Sequence, residues 1–302
     1  MDVNEVKDRI NENKQDIEDL AKVIANLKIR IRVLEIGFKK SNFEGGKIKL
    51  RRNKIMYELI DKLVVKRHEI SYGIGINHKY PNENMVRLTK WFFPKRGKVL
   101  DYGFGPGENL LHLLRIGHMV AGIEVSTEAR KITEKKLKEY PLLKKRCELY
   151  MLTKNDKRLP YKSNSFDYIL SNQTVYFLNS EKKIRYFLKE FNRILKPNGR
   201  IIISMMSRFN RGCTAGKYVG NNCYEYFADG LSEPNKVYIV KDEDHIRKLF
   251  DVFKINEIGY FDNYYCGEAG HHFVVLASKS NSVKQVIVRN NTCLVAFLSK
   301  EN

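Results

Sequence analysis

The chain has 302 residues, 43% of them hydrophobic and 30% charged, a balance that excludes wholesale disorder and supports a sizeable core without a disulfide or metal staple. Lys and Arg outnumber Asp and Glu by 55 to 35; the formal charge of +20 admits nucleic acid, an anionic membrane surface or an acidic glycan as partner and says nothing of the fold. No apolar run approaches the roughly 18 residues of a spanning helix, the acidic start MDVNEVKDRINENK does not read as a secretory signal, and Cys147, Cys213, Cys223, Cys266 and Cys293 form no C-x-x-C pair, so neither zinc nor disulfides are expected and a reducing cytoplasm is.

Residues 1–40 come first. Val6, Ile10, Asn13, Ile17, Leu20, Ile24, Leu27, Ile31, Leu34 and Phe38 keep a four-three spacing, the pattern of a coiled coil. Ile at one seam position and mostly Leu at the other favours a parallel two-stranded coil, with Asn13 as a register-setting polar residue, so a homodimer is expected. A trimer, or packing of the helix on its own globular domain, stays open. Residues 41–84 read as a basic helical linker. After Gly45-Gly46, apolar Ile55, Leu59, Leu63 and Ile70 alternate with Lys47, Lys49, Arg51, Arg52, Lys54, Lys66 and Arg67, as in a basic amphipathic helix that lies on an anionic membrane or nucleic acid. The alternative is a solvated charged face. Residues 72–87 hold more Gly, Tyr and Asn than a plain linker and read either as a lid or as a structural turn before a capped helix.

Residues 85–280 alternate strand and helix. Strands are expected over 98–101, 119–124, 166–171 and 200–204, and closing strands over 254–260 and 272–277; helices are expected over 109–116, 181–195 and 242–253. Such alternation means an α/β fold with a doubly wound, mostly parallel sheet. Residues 205–240, rich in Gly, Asn, Tyr and Cys, interrupt the rhythm as an inserted loop region facing the substrate. Residues 281–302, with Val286-Ile-Val288 and Cys293-Leu-Val-Ala-Phe-Leu298, form a C-terminal extension, read as an extra hairpin.

The chemistry-bearing stretch is Val99-Leu-Asp-Tyr-Gly-Phe-Gly-Pro-Gly-Glu108, a strand end, a glycine turn and a helix start. In such a sheet ligands sit at the carboxyl ends of the strands, where glycines let the backbone approach closely. A dinucleotide fingerprint would need G-x-G-x-x-G, whereas Gly103, Gly105 and Gly107 are evenly spaced behind Asp101. The D-x-G-x-G-x-G pattern resembles the class I S-adenosylmethionine-dependent methyltransferases of the type 11 group, and the resemblance continues in order through most of residues 97–280.

The resemblance implies a Rossmann-like methyltransferase core that binds S-adenosylmethionine, releases S-adenosylhomocysteine and needs no metal. It puts Asp101, Gly103, Gly105 and Gly107 against the amino-acid half of the cofactor and Glu124 on the ribose hydroxyls, where a carboxylate can accept both donors at once. The loop Asn155-Asp-Lys-Arg-Leu-Pro-Tyr161 matches the adenine-flanking loop; Asp156 is favoured over Asn155 as partner of the adenine amino group. Ser171, Asn172 and Gln173 would floor the site near the methyl group. Phe191-Asn-Arg-Ile-Leu-Lys-Pro-Asn-Gly199 matches the family's turn before the fifth strand, with Asn198 in place of a glycine, a residue that tolerates the left-handed conformation. Arg87 would pair as a fork with the cofactor carboxylate.

Methyl transfer from a sulfonium is an in-line displacement, so alignment and exclusion of water matter more than a catalytic side chain. An oxygen acceptor profits from a general base, for which His78, His118, His271 and His272 are candidates, while His112 reads as packing within a helix. The lead-in and fused coil resemble methyltransferases encoded with surface-polysaccharide synthesis, which implies O-methylation of a sugar or glycan hydroxyl. Two other readings stay open: an RNA methyltransferase, favoured by the charge but with Ser171-Asn-Gln-Thr174 where base-methylating enzymes carry an Asn-Pro-Pro-Tyr-like tetrad, and an inactive scaffold in which the coil recruits a partner.

Overall fold

The computed structural model describes residues 62–73, 75, 79–153, 156, 158–227, 234–265 and 268–279. The coiled coil expected over 1–40, the basic stretch to residue 61, His78, Asn155 and the extension over 281–302 lie outside the described residues.

Two helices lead in, α1 (Lys62–Gly73) and α2 (Glu83–Phe92). Then β1 (Lys98–Tyr102), α3 (Glu108–Arg115), β2 (Met119–Glu124), α4 (Thr127–Lys138), the short α5 (Pro141–Lys144) and β3 (Cys147–Met151) form the first half of the sheet. The second half holds β4 (Phe166–Ser171), a 3-10 turn (Val175–Leu178), α6 (Glu181–Ile194) and β5 (Leu195–Met206). Beyond it come α7 (Arg211–Thr214), β6 (Lys217–Gly220), β7 (Cys223–Tyr226), β8 (Asn235–Tyr238), α8 (Glu243–Leu249), β9 (Lys254–Phe261), the ribbon β10 (Tyr264–Tyr265) and β11 (Glu268–Ala269), and β12 (His272–Ser278).

The main sheet has the order β3-β2-β1-β4-β5-β12-β9, parallel from β3 to β5 and antiparallel where β12 inserts between β5 and β9. Its central strands are apolar on both faces because helices cover both. Successive side chains of β1 alternate: Val99 joins a core with Met85, Phe92, Leu110 and Leu114 on one face, while Leu100 and Tyr102 join Ile184, Phe187, Phe191 and Ile246 on the other. This fold is the α/β, doubly wound, mostly parallel architecture expected from the sequence. Among the described residues no helix is long and apolar enough to cross a membrane.

Element ends agree with the sequence pattern where punctuation is strong. Asn198 takes φ +61° in the turn that opens β5, and Asp242 caps α8 by accepting the His245 N–H at 2.8 Å. Two elements, β3 and α4, carry no sequence signal of comparable strength. α4 buries only Ala129, Thr133 and Leu137 under a coat of Lys, Arg and Glu, and β3 is the half-buried edge strand Cys-Glu-Leu-Tyr-Met. The inserted region over 205–240 is a three-stranded antiparallel sheet, β6-β7-β8, and not an irregular loop. Its two-residue connection Asn221-Asn222 has φ +53° and +58°, the positive pair that a tight hairpin turn requires.

Candidate active site

The glycine turn between β1 and α3 is shaped by three positive φ angles, +77° at Gly103, +52° at Gly105 and +86° at Gly107. Two of these glycines are also required by space. A Cβ on Gly103 would stand 2.3 Å from the Thr174 side chain, and one on Gly107 would stand 2.6 Å from Thr133 Oγ1. The turn is tied to β2 by the Gly103 N–H, which donates to the Ile123 carbonyl at 2.8 Å, and to α4 by Thr133 Oγ1, which donates to the Gly105 carbonyl at 3.1 Å.

Glu124, at the end of β2, faces this turn. Its Oε2 accepts the Gly105 N–H at 2.8 Å, and its Oε1 accepts the N–H groups of Val125 and Ser126 at 2.7 and 3.2 Å. Burial raises its pKa and the three N–H donors oppose that shift. A carboxylate offers about four lone-pair sites, so Oε2 keeps acceptor capacity toward the cavity. Near it, Asp101 is buried on β1 with Oδ2 unpartnered, and burial together with the Glu124 carboxylate pushes its pKa up to about 8.

These groups border a cavity of about 290 Å³ that reaches from the glycine turn to the 3-10 turn, with Asn109, Ile123, Leu152 and Asn172 on its walls. The Asn172 Oδ1 accepts the Ser204 hydroxyl at 3.2 Å, and Ser204 Oγ in turn accepts the Gln173 N–H at 2.7 Å, which holds the loop after β4 in place. Tyr176 and Phe177 supply an aromatic side, and α1 closes the mouth with His68 and Tyr72, whose hydroxyl lies 3.1 Å from where a Cβ on Gly105 would be. α1 is anchored there by Glu69. This carboxylate accepts the N–H groups of Thr127 and Glu128 at 2.5 and 2.9 Å and the hydroxyls of Ser126 and Thr127 at 3.1 and 2.9 Å, capping the first turn of α4.

Of the residues singled out in the sequence, Gly103, Gly105, Glu124, Asn172 and Gln173 line the cavity. Gly107 stands one step behind, as the N-cap of α3. The others are placed elsewhere. Arg87 lies on the exposed face of α2 and pairs with Glu83 at 2.6 Å, because the Asn82 cap starts a regular helix whose polar face carries both. Ser171 is fully buried within β4, so the floor begins at Asn172. The Asp156 carboxylate is engaged locally, accepting the Tyr150 hydroxyl at 2.5 Å and the Thr153 N–H and hydroxyl at 2.7 and 2.9 Å, and among the described residues after β3 Leu152 lines the cavity.

The histidines separate likewise. His118 starts β2 at the amino-terminal edge of the sheet and accepts the Gly97 N–H at 3.2 Å, far along the strand from Glu124. His112, on α3, packs against the lead-in helix α2, 3.3 Å from Thr89 Oγ1. His271 lies 2.7 Å from Ser207 Oγ and stacks on Tyr260, away from the cavity lining. His272 is buried behind Tyr176, its Nε2 3.4 Å from the phenol oxygen, and desolvation brings its pKa down to about 4. Among the described residues the imidazole that lines the cavity is His68, which carried no sequence signal beyond its place on a basic helix.

The donor set fits a nucleoside-bearing cofactor: a backbone turn that tolerates no Cβ, a fixed carboxylate with a free lone pair, and apolar Ile123 and Leu152 beside it. Comparison with known proteins agrees. Residues 100–203 match the family model described as a methyltransferase domain. A demethylmenaquinone methyltransferase of Tropheryma whipplei is 33% identical over 114 residues, 38% of this chain and 44% of that protein. A putative methyltransferase of Bacillus subtilis is 26% identical over 126 residues, 40% of this chain and 48% of its own length. The chain thus spans about half the length of the curated relatives it matches. Among solved structures, a SAM-dependent methyltransferase from Methanosarcina mazei superposes with a TM-score of 0.53 at 18% identity, over 64% of this chain and 96% of that one. The 1,6-didemethyltoxoflavin-N1-methyltransferase of Burkholderia thailandensis, solved with S-adenosylhomocysteine, gives 0.53 at 16% identity over 72% and 88%.

Proposed function

We propose that residues 100–203, which match a methyltransferase domain, bind S-adenosylmethionine in the class I manner, and that the protein uses them to methylate a hydroxyl group of a sugar or glycan. The observation that carries the methyl-transfer reading is the Glu124 carboxylate, pinned by three backbone N–H groups at the edge of a cavity under the glycine turn. When bound, the sulfonium cofactor supplies an activated methyl group. The chain's own part is to bind, align and keep water out: Gly103 and Gly105 let the backbone approach, Glu124 accepts ribose hydroxyls, and Tyr176 and Phe177 give the reacting end an apolar wall. With the cofactor held by Gly103, Gly105 and Glu124, the acceptor oxygen would take its methyl group and release a proton to solvent.

The acceptor reading is supported by the inserted β6-β7-β8 sheet, whose β8 packs on the 3-10 turn that walls the cavity and whose Tyr224 and Tyr226 join the same cluster as Val175 and Tyr176. Aromatic faces with interspersed amides suit a polyhydroxylated ligand. The heptads over residues 1–40 support a homodimer through a parallel coil, which light scattering of the full chain against a version lacking residues 1–40 would test.

The test of function is transfer of labelled methyl from S-adenosylmethionine onto a panel of sugar nucleotides, oligosaccharides, RNA and demethylmenaquinone. Label in an alkali-stable ether on a sugar is the expected result. Label in RNA or quinone alone would contradict the glycan acceptor while leaving methyl transfer intact.

A further inference from the structure

Along α1, Lys62 and Lys66 are exposed but Arg67 turns inward and is 6% exposed. Its guanidinium lies 5.1 Å from the centre of the Phe177 ring, its Nη2 is 3.3 Å from His68 Nε2, and its Nε has no hydrogen-bond partner. Because a guanidinium only donates, the His68 nitrogen is the acceptor of that contact. The groups close enough to act on the charge are the phenols of Tyr226, Tyr176 and Tyr72, and no carboxylate among the described residues pairs with it. A guanidinium stays ionised, so among the described residues this is a buried positive charge without a counter-ion, an arrangement that proteins otherwise avoid.

Its place in the fold says what the counter-ion is for. Arg67 stands where α1, the 3-10 turn and β7 of the inserted sheet converge, and its neighbours His68, Tyr72, Tyr176 and Phe177 all line the cavity. Tyr72 feels both the Glu124 carboxylate and the Arg67 guanidinium, so both charges lie near it. Glu124 belongs to the glycine turn; Arg67 belongs to the side of the aromatic wall and the inserted sheet.

We propose that Arg67 is a specificity-determining residue that pairs, through its Nε and an Nη, with a phosphate or carboxylate oxyanion carried by the methyl acceptor. This rests on the methyl-transfer reading above. A fork donor matches the two oxygens of either anion, and a guanidinium buried one layer behind the cavity lining suits a small anionic group over a polymer that lies on the surface.

The test uses the full chain as wild type, R67Q and R67K. S-adenosylhomocysteine is titrated calorimetrically into each, and inorganic phosphate and acetate are titrated into the free and the S-adenosylhomocysteine-saturated protein. The expected result is binding of phosphate or acetate to wild type, weakened at least about tenfold in R67Q and partly restored in R67K, with S-adenosylhomocysteine affinity held within about threefold. In wild type the Arg67 Nε–H resonance should move as phosphate is added, a readout that survives if R67Q does not fold. Equal anion binding in R67Q, or an unmoved resonance, would overturn the proposal. Loss of S-adenosylhomocysteine affinity in R67Q with anion binding intact would also overturn it, by giving Arg67 to the cofactor. Failure of wild type to bind S-adenosylhomocysteine would sink the methyl-transfer reading, and the anion titration of the free protein would still judge Arg67.

Discussion

The Glu124 carboxylate accepts the Gly105 N–H at 2.8 Å, joining the end of β2 to the glycine turn that follows β1. One side chain therefore both shapes the turn and offers its remaining lone pair to the ligand. Replacing Glu124 by Ala should weaken S-adenosylhomocysteine binding by about 2 kcal/mol or more, roughly 30-fold, and lower the melting temperature because buried N–H groups lose their acceptor. Calorimetry with a parallel thermal melt checks both; unchanged affinity in the folded variant would remove Glu124 from the site.

Gly103→Ala meets two obstacles, a φ of +77° and Thr174 at 2.3 Å. The single variant should lose about 1–3 kcal/mol of stability and most of its cofactor affinity. Gly103→Ala with Thr174→Ala relieves the two contacts at 2.3 Å but leaves the residue 174 Cβ at 2.8 Å and the strained dihedral, so it should recover only part of the loss. Full recovery would mean that the angle is unimportant.

Fold and site were legible in the sequence to different depths, and for physical reasons. Strands buried on both faces announce themselves as apolar runs, so β1, β2, β4 and β12 could be read closely, and the evenly spaced glycines marked the turn because backbone geometry admits few substitutes there. Arg87 and Asp156 show the limit. A polar side chain's direction depends on partners that sequence spacing does not reveal: Glu83 one helical turn before Arg87, and Thr153 and Tyr150 around Asp156. His68, Tyr72 and Arg67 escaped for the same reason. A basic helix reads as a solvated face until Glu69 is seen to bind it to the start of α4.

That anchor gives a third prediction. Partial burial opposes ionisation of Glu69, but the N–H groups of Glu128 and Thr127 outweigh it and hold the carboxyl below its usual pKa. The contact therefore contributes above the ordinary carboxyl pKa and is lost as pH falls through the lower folded value. Glu69→Ala should cost about 1 kcal/mol as a lost cap, raise hydrogen exchange across 62–73 ahead of the sheet, and loosen S-adenosylhomocysteine binding. Exchange in α1 that matches wild type would contradict the anchoring role.

Asp101 predicts a dependence on pH with a definite sign. Its folded pKa, up to about 8, is above the unfolded value, so folding takes up a proton and stability falls as pH rises toward 8. His272, down to about 4, acts oppositely between that value and its ordinary pKa of 6.5, so the Asp101 effect emerges between about pH 6.5 and 8. Over that window wild type should lose up to about 2 kcal/mol and Asp101→Asn distinctly less. Urea denaturation at the two pH values decides it; equal slopes would show that Asp101 is ionised in the folded protein.

The most direct test of the whole account is calorimetric titration of the purified full chain with S-adenosylmethionine and, separately, with S-adenosylhomocysteine. Micromolar binding of both, one ligand per chain and abolished or much reduced in Glu124→Ala, is the predicted result. A folded protein that binds neither would contradict it.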